Sequence, residues 1–224
     1  MTHTHYCNYM YMHGCALNIC NTGVLITGDS AIGKSELALQ LLDRGHKFIA
    51  DDVVVIKRIK NQEIKNQEIK NQEIKNQEIN HQEVDNQEIN PVIWNQSMLF
   101  MSAVESELPF LHIRGLGFVN VSKLYGISNI MLGCKLDLII NLANDANYYN
   151  ANSSSEDCVL QQLISEVDIL GIPILQMQLL INNQHRPLAL LVETMVKYNN
   201  DKQLGYDSHQ DFLNRHYAMI KFEK

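Results

Sequence analysis

Gly28-Asp29-Ser30-Ala31-Ile32-Gly33-Lys34-Ser35 is the stretch that decides the fold of this 224-residue chain. It fits G-x-x-x-x-G-K-[ST], a loop whose backbone N–H groups wrap the phosphates of a nucleotide. Its surroundings carry as much weight as the pattern. An apolar run, Gly23-Val24-Leu25-Ile26-Thr27, leads in as a strand, and Ser35-Glu36-Leu37-Ala38-Leu39-Gln40-Leu41-Leu42 leads out as a helix. Strand, glycine loop and helix together aim peptide N–H groups and a helix dipole at a polyanion. In that arrangement Lys34 reaches the terminal phosphates, and the Ser35 hydroxyl holds Mg²⁺. A nucleotide-binding α/β chain is the expectation.

The elements around the loop extend that reading. A strand over Thr22–Thr27 is expected, then a helix to about Arg44, which Gly45 stops. Phe48 to Ile56 reads as the next strand region, and Asp51-Asp52 lies within it. Lys135 to Leu142 has the composition of a buried strand. Ile172–Ile181 and Leu188–Thr194 are expected as further strands, with a terminal helix near His209–Met219. Residues 144–157 are rich in Asn and Ser and read as a loop. The expected fold class is α/β, a P-loop nucleotide-binding core with a mainly apolar central sheet and a C-terminal helix. Residues 1–224 are read as a single P-loop kinase domain.

Residues 60–89 interrupt this pattern with six five-residue units. Lys60-Asn61-Gln62-Glu63-Ile64 occurs four times, and Asn80 to Val84 and Asp85 to Ile89 are decayed copies. A five-residue step turns successive isoleucines by about 140° on a helix. On a strand it sends them to opposite faces. Neither builds a one-sided apolar stripe, so the tract is expected to be a low-complexity insertion.

Composition narrows the function classes. A formal net charge of −7 argues against a broad polyanion-binding surface, and so against nucleic acid. No apolar run is long enough to span a membrane, and the N-terminus lacks the pattern of a signal peptide. A cytoplasmic location is expected. Five cysteines, Cys7, Cys15, Cys20, Cys134 and Cys158, lack metal-type spacing and read as free thiols. His3, His5 and Cys7 are a weak metal candidate on a chain terminus.

Asp51-Asp52 is the candidate acid–base centre. Residues adjacent on a strand point to opposite faces, so the two carboxylates are expected to divide their work. One supports Mg²⁺, while the other takes the proton of an attacking hydroxyl.

Read together, the loop through Glu36, the segment Arg44-Gly45-His46-Lys47-Phe48-Ile49-Ala50-Asp51-Asp52-Val53-Val54, and Ile113-Arg114-Gly115-Leu116-Gly117 resemble HPr kinase/phosphorylase. Met12-His13-Gly14, Gly171-Ile172-Pro173, Leu188 to Glu193 and Gly205-Tyr206-Asp207 extend the resemblance. It covers most of residues 12–58 and 95–215. The resemblance implies a bacterial enzyme that phosphorylates a regulatory serine of the HPr phosphocarrier protein with ATP or pyrophosphate, and that removes the phosphate by phosphorolysis. It is to the catalytic domain, and the family's separate N-terminal domain has no counterpart in these residues. It implies that Gly28, Asp29, Ser30, Ala31, Ile32, Gly33, Lys34 and Ser35 cradle the nucleotide and that Ser35 binds Mg²⁺. It also implies that Lys34 is catalytic, that Asp52 is the proton acceptor with Asp51 assisting, and that His13 is an active-site histidine. A homo-oligomer, a hexamer in the family, follows from the same resemblance.

Three departures accompany it. His112 stands where the family has a metal-binding glutamate, which predicts weaker use of Mg²⁺ and relative tolerance for Mn²⁺. Glu156-Asp157-Cys158-Val159-Leu160 lacks the arginine of a family motif. Leu180 to Pro187 blurs another, associated with dephosphorylation, although Arg186 keeps an arginine near its place. Phosphorylase activity is therefore expected to be weakened or lost. Three readings stay open: an HPr kinase, an impaired ATP-binding regulatory domain, and a small-molecule P-loop kinase.

Overall fold

The computed structural model describes residues 8–60, 97–104, 109–144, 163–181 and 187–222. The expectations for residues 61–89, the Glu156–Leu160 segment, Arg186 and the His3–Cys7 cluster lie outside them. The fold is a mixed α/β arrangement in three layers. A six-stranded sheet is the middle layer. It contains β2 (Cys15–Ile19), β3 (Thr22–Gly28), β4 (Lys47–Ala50), β10 (Leu138–Asn144), β11 (Ile164–Ile169) and β12 (Ile172–Ile181), in the order β11-β12-β10-β3-β2-β4. The centre, β12-β10-β3, is parallel, and both edges are antiparallel.

Strand β3 shows why these residues occupy the centre. It is buried on both sides, as expected of an apolar strand in a covered sheet. Val24 and Ile26 face α1 (Lys34–Asp43) and α3 (Leu188–Gln203), among Leu37, Leu41, Val192 and Val196. Leu25 faces the other way, among Ile56, Leu99 and Met101. Each such side chain contributes roughly 1.5–3 kcal/mol on burial. The second sheet is antiparallel, in the order β1 (Tyr9–His13), β5 (Val53–Lys60), β6 (Ser97–Ser102), β9 (Gly133–Lys135). A separate hairpin, β7 (Phe110–Ile113) with β8 (Gly117–Asn120), leads into the short helix α2 (Val121–Tyr125).

Three sequence expectations need correction. Leu188–Thr194 is not a strand but the start of α3. The unbroken apolar run reads equally as either, and the buried positions Ala189, Val192, Glu193, Val196 and Asn199 recur at helical spacing. Phe48 to Ile56 is not one strand region. It breaks at Asp51-Asp52 into β4 and β5, which belong to different sheets. Lys135 to Leu142 is likewise divided between β9 and β10. The terminal helix α4 (Ser208–Phe222) forms as expected. The Asp207 carboxylate starts it, accepting from the N–H groups of His209 and Gln210 at 3.0 and 3.2 Å.

Candidate active site

Strand direction assembles the site. β2 runs antiparallel between β3 and β4, so the ends of β3 and β4 meet the beginning of β2 at one edge of the sheet. That brings Gly28 to Ser35, Asp51-Asp52 and His13 to Cys15 together from three stretches of the chain. A cavity of about 1300 Å³ opens there, and His13, Lys34, Ser35, Asp51, Asp52 and His112 all line it.

The loop has the backbone that its glycines permit. Gly28 has φ +137°, and a Cβ there would lie 2.5 Å from the Leu142 carbonyl oxygen. Gly33, at the start of α1, has φ +104°, and a Cβ there would make only an ordinary contact with the Glu36 carboxylate at 3.9 Å. No side chain caps α1, so its first N–H groups remain available to an anion from the cavity. Lys34 is only 7% exposed. Its ammonium donates to the Gly28 and Asp29 carbonyl oxygens at 3.0 and 2.9 Å, which folds it over the loop.

The two aspartates diverge, but not as alternating strand residues. They form the bend between β4 and β5, and Asp52 has the left-handed φ of +68°. Asp51 turns inward, where its Oδ2 accepts the Ser35 hydroxyl at 2.9 Å and a long bond from the His112 N–H at 3.5 Å. Burial pushes its carboxyl above the usual aspartate range, and donors from Ser35, His112, Asp52 and the Cys15 thiol pull it partly back. The Cys15 thiol is held well above its ordinary value, first by burial and then by the Asp51 charge. Asp52 turns outward with its side chain 77% exposed. His13 Nδ1 lies 2.9 Å from the Asp52 carbonyl oxygen and 3.0 Å from its Oδ1.

His112 contributes its peptide N–H to Asp51, while its imidazole packs against Phe118 with centroids 5.0 Å apart. The two are cross-strand partners in the β7–β8 hairpin, and with Phe110 they form an aromatic wall of the cavity. Among the described residues no three His, Cys, Asp or Glu side chains are grouped to hold a metal. Ser35 and Asp51 nonetheless offer two hard oxygen donors on one side of the loop. That suits Mg²⁺, which takes one or two protein oxygens and fills its shell with phosphate and water.

Sequence reading missed Lys57, Phe110, Arg114 and Phe118 as parts of this cavity, and it missed Cys15 as the buried thiol that bonds to Asp51. Cys15 gave no signal, because a cysteine at the head of an apolar strand reads as core. The hairpin was readable: Leu111, Ile113 and Val119 alternate with outward residues around Arg114-Gly115-Leu116, a turn cue.

The HPr Serine kinase C-terminal domain family matches residues 4–79 and 80–216. The chain is 30% identical over 198 residues to the HPr kinase/phosphorylase of Caldanaerobacter subterraneus subsp. tengcongensis, covering 88% of this chain and 51% of that protein. It is 29% identical over 205 residues to the HPr kinase/phosphorylase of Alkaliphilus metalliredigens, covering 91% and 52%. The chain thus spans about half the length of the curated relatives it matches. The solved structure of the Hpr(Ser) kinase/phosphatase from Coxiella burnetii superposes with a TM-score of 0.62 at 29% identity, covering 91% of this chain and 98% of that one.

Proposed function

The chain belongs to the HPr Serine kinase C-terminal domain family, and from that premise we propose that it transfers phosphate from ATP to a serine hydroxyl of the HPr phosphocarrier protein. The observation that carries the proposal is the divided aspartate pair. Asp51 is bonded to Ser35 at the foot of the loop, and Asp52 is exposed at the cavity beside His13.

The chemistry follows from that division. Residues Gly28 to Ser35 cradle the phosphates with loop N–H groups and the open end of α1. Lys34 exchanges its two carbonyl partners for phosphate oxygens, and its charge then stabilises the transferring group. Ser35 and Asp51 are the residues that would hold Mg²⁺. A cation held there would supply charge neutralisation for the phosphate oxygens. Asp52, outside the buried pocket, accepts the proton of the serine as the serine oxygen bonds to the γ-phosphorus and the bond to the bridging oxygen breaks, releasing ADP. In the reverse direction it returns a proton to the serine oxygen. Pyrophosphate is the alternative donor; phosphorylase activity is weakened or lost, and Arg186 is the residue proposed to serve what dephosphorylation remains. Assembly as a hexamer in the cytoplasm completes the reading.

A second reading is an ATP-binding regulatory domain with impaired catalysis. It is favoured by His112, whose imidazole at the expected metal position lies against Phe118. The deciding experiment is transfer from labelled ATP to purified HPr, with Mg²⁺ and Mn²⁺ in separate reactions and Asp52→Ala as control. Transfer that needs Asp52 supports the kinase. A folded chain that binds ATP and transfers nothing with either metal supports the regulatory domain.

A further inference from the structure

We infer that His13 is a positioning residue, acting through Nδ1 to hold Asp52 in its left-handed backbone conformation. The inference rests on Asp52 being the proton acceptor, as proposed above.

Both atoms within reach of Nδ1 are acceptors, the Asp52 carbonyl oxygen at 2.9 Å and Oδ1 at 3.0 Å. Neither a carbonyl nor an ionised carboxylate has a proton to give, so Nδ1 carries the hydrogen and shares it between them. An Nδ1 engaged in this way does not receive a proton from a substrate; proton transfer would have to use Nε2, and the amide variants below separate that role from positioning. The bond also has a structural task. Asp52 has φ +68°, a region that a non-glycine residue occupies only when its surroundings hold it there. Its side chain is exposed, so packing does not impose the conformation. Two bonds to its carbonyl oxygen do, one from His13 Nδ1 and one from the Gly14 N–H at 3.2 Å. His13 pairs with Val53 in the β1–β5 register, which places its ring over the bend. Without the left-handed residue, Asp51 and Asp52 would follow ordinary strand geometry, and Oδ1 would lose its fixed place at the cavity.

Two amides separate the alternatives, because Asn Nδ2 superposes on imidazole Nδ1, and Gln Nε2 superposes on imidazole Nε2. In the full chain, His13→Ala is expected to lower kcat for phosphate transfer to HPr about 100-fold, with the KM for ATP unchanged. His13→Asn is expected to recover most of that loss, and His13→Gln almost none of it. Hydrogen exchange at the Gly14 amide is expected to quicken in the Ala and Gln variants but not in the Asn variant. Recovery by Gln and not by Asn would overturn the inference. So would an inactive Asn variant whose Gly14 amide is protected as in the wild type, since the imidazole itself would then be required. If the wild type transfers no phosphate, the kinase reading fails, while the Gly14 amide still decides whether His13 holds the bend.

Discussion

The Ser35 hydroxyl donates to Asp51 Oδ2 at 2.9 Å, tying the first turn of α1 to the break between β4 and β5. Burial outweighs the four donors to Asp51 and holds its proton more tightly than an unfolded chain would. The sign of its linkage follows. This carboxyl favours folding below its ordinary value of 3.8 and opposes it as pH rises through the elevated folded value. Asp51→Asn should therefore keep or raise the melting temperature at neutral pH while losing divalent-cation binding. Ser35→Ala removes one donor, raises the Asp51 carboxyl further and should weaken Mn²⁺ binding by about 10–100-fold, read by electron paramagnetic resonance. A melting temperature lowered by more than about 4 °C in Asp51→Asn would contradict this account.

The two loop glycines should fail differently when changed to alanine. At Gly28 a Cβ meets the Leu142 carbonyl oxygen at 2.5 Å, so β3 and β10 must part. At Gly33 a Cβ meets nothing nearer than Glu36 Oε2 at 3.9 Å, and only the positive φ resists, at about 1–2 kcal/mol. Gly28→Ala should thus cost clearly more stability in denaturant titrations than Gly33→Ala. Equal losses would mean that backbone conformation, not the contact with β10, governs both.

Glu193 on α3 is the buried anchor of the helical layer. It accepts two bonds from the Arg44 guanidinium, at 2.6 and 2.7 Å, and one from His46 Nε2 at 2.8 Å. Arg44 foremost, then His46, lowers its carboxyl to about 2 from the ordinary 4.5. A depressed carboxyl stabilises the fold above its unfolded value and loses that contribution as pH falls towards the folded one. Glu193→Gln should cost roughly 2–3 kcal/mol at neutral pH, less than a fully buried pair because Arg44 is partly exposed. The difference from wild type should shrink as pH falls from 4.5 towards 2. Urea titrations across that range would show it.

These contacts mark what a sequence reveals and what it hides. β3, its loop and α1 were legible because three local signals agree: an apolar run, two spaced glycines and a helical repeat. Arg44 and Glu193 both stood in noted segments, but their bond spans 149 positions, and no local pattern joins them. The apolar run of Leu188 to Val192 fitted a strand as well as a helix, and only packing against α1 decides. The break at Asp51-Asp52 was hidden because apolar residues continue on both sides of it. Its left-handed residue is held by His13 and Gly14, from a distant part of the chain.

His112 and Phe118 make a separate prediction for the acceptor. Their rings form a wall of the cavity on the side of Asp51, and Phe118 is 77% exposed. If that wall serves apolar contact with the incoming protein, Phe118→Ser should raise the KM for HPr several-fold and leave the KM for ATP unchanged. His112→Phe should preserve the wall, and His112→Glu should favour Mg²⁺ over Mn²⁺. Unaltered metal dependence in His112→Glu would count against this position facing the cation.

The termini of β5 and β6 predict how the chain tolerates losing the repeat tract. Lys60 and Ser97 are register partners at the end of an antiparallel pair, so the intervening residues leave and return at one point. Directly paired residues on such strands lie only about 4.5–5.5 Å apart, a gap that a two-residue turn closes. Ile56, Leu99 and Met101, which bind this pair to the core, lie further along the strands and stay untouched by the excision. Replacing residues 61–96 with Asn-Gly should therefore leave the melting temperature within about 4 °C of the wild type. ATP affinity should be unchanged, since His13, Lys34, Asp51 and Asp52 are all held by other strands or by the far end of β5. A shortened chain that folds but binds ATP more than tenfold less tightly would assign the tract a part in the site.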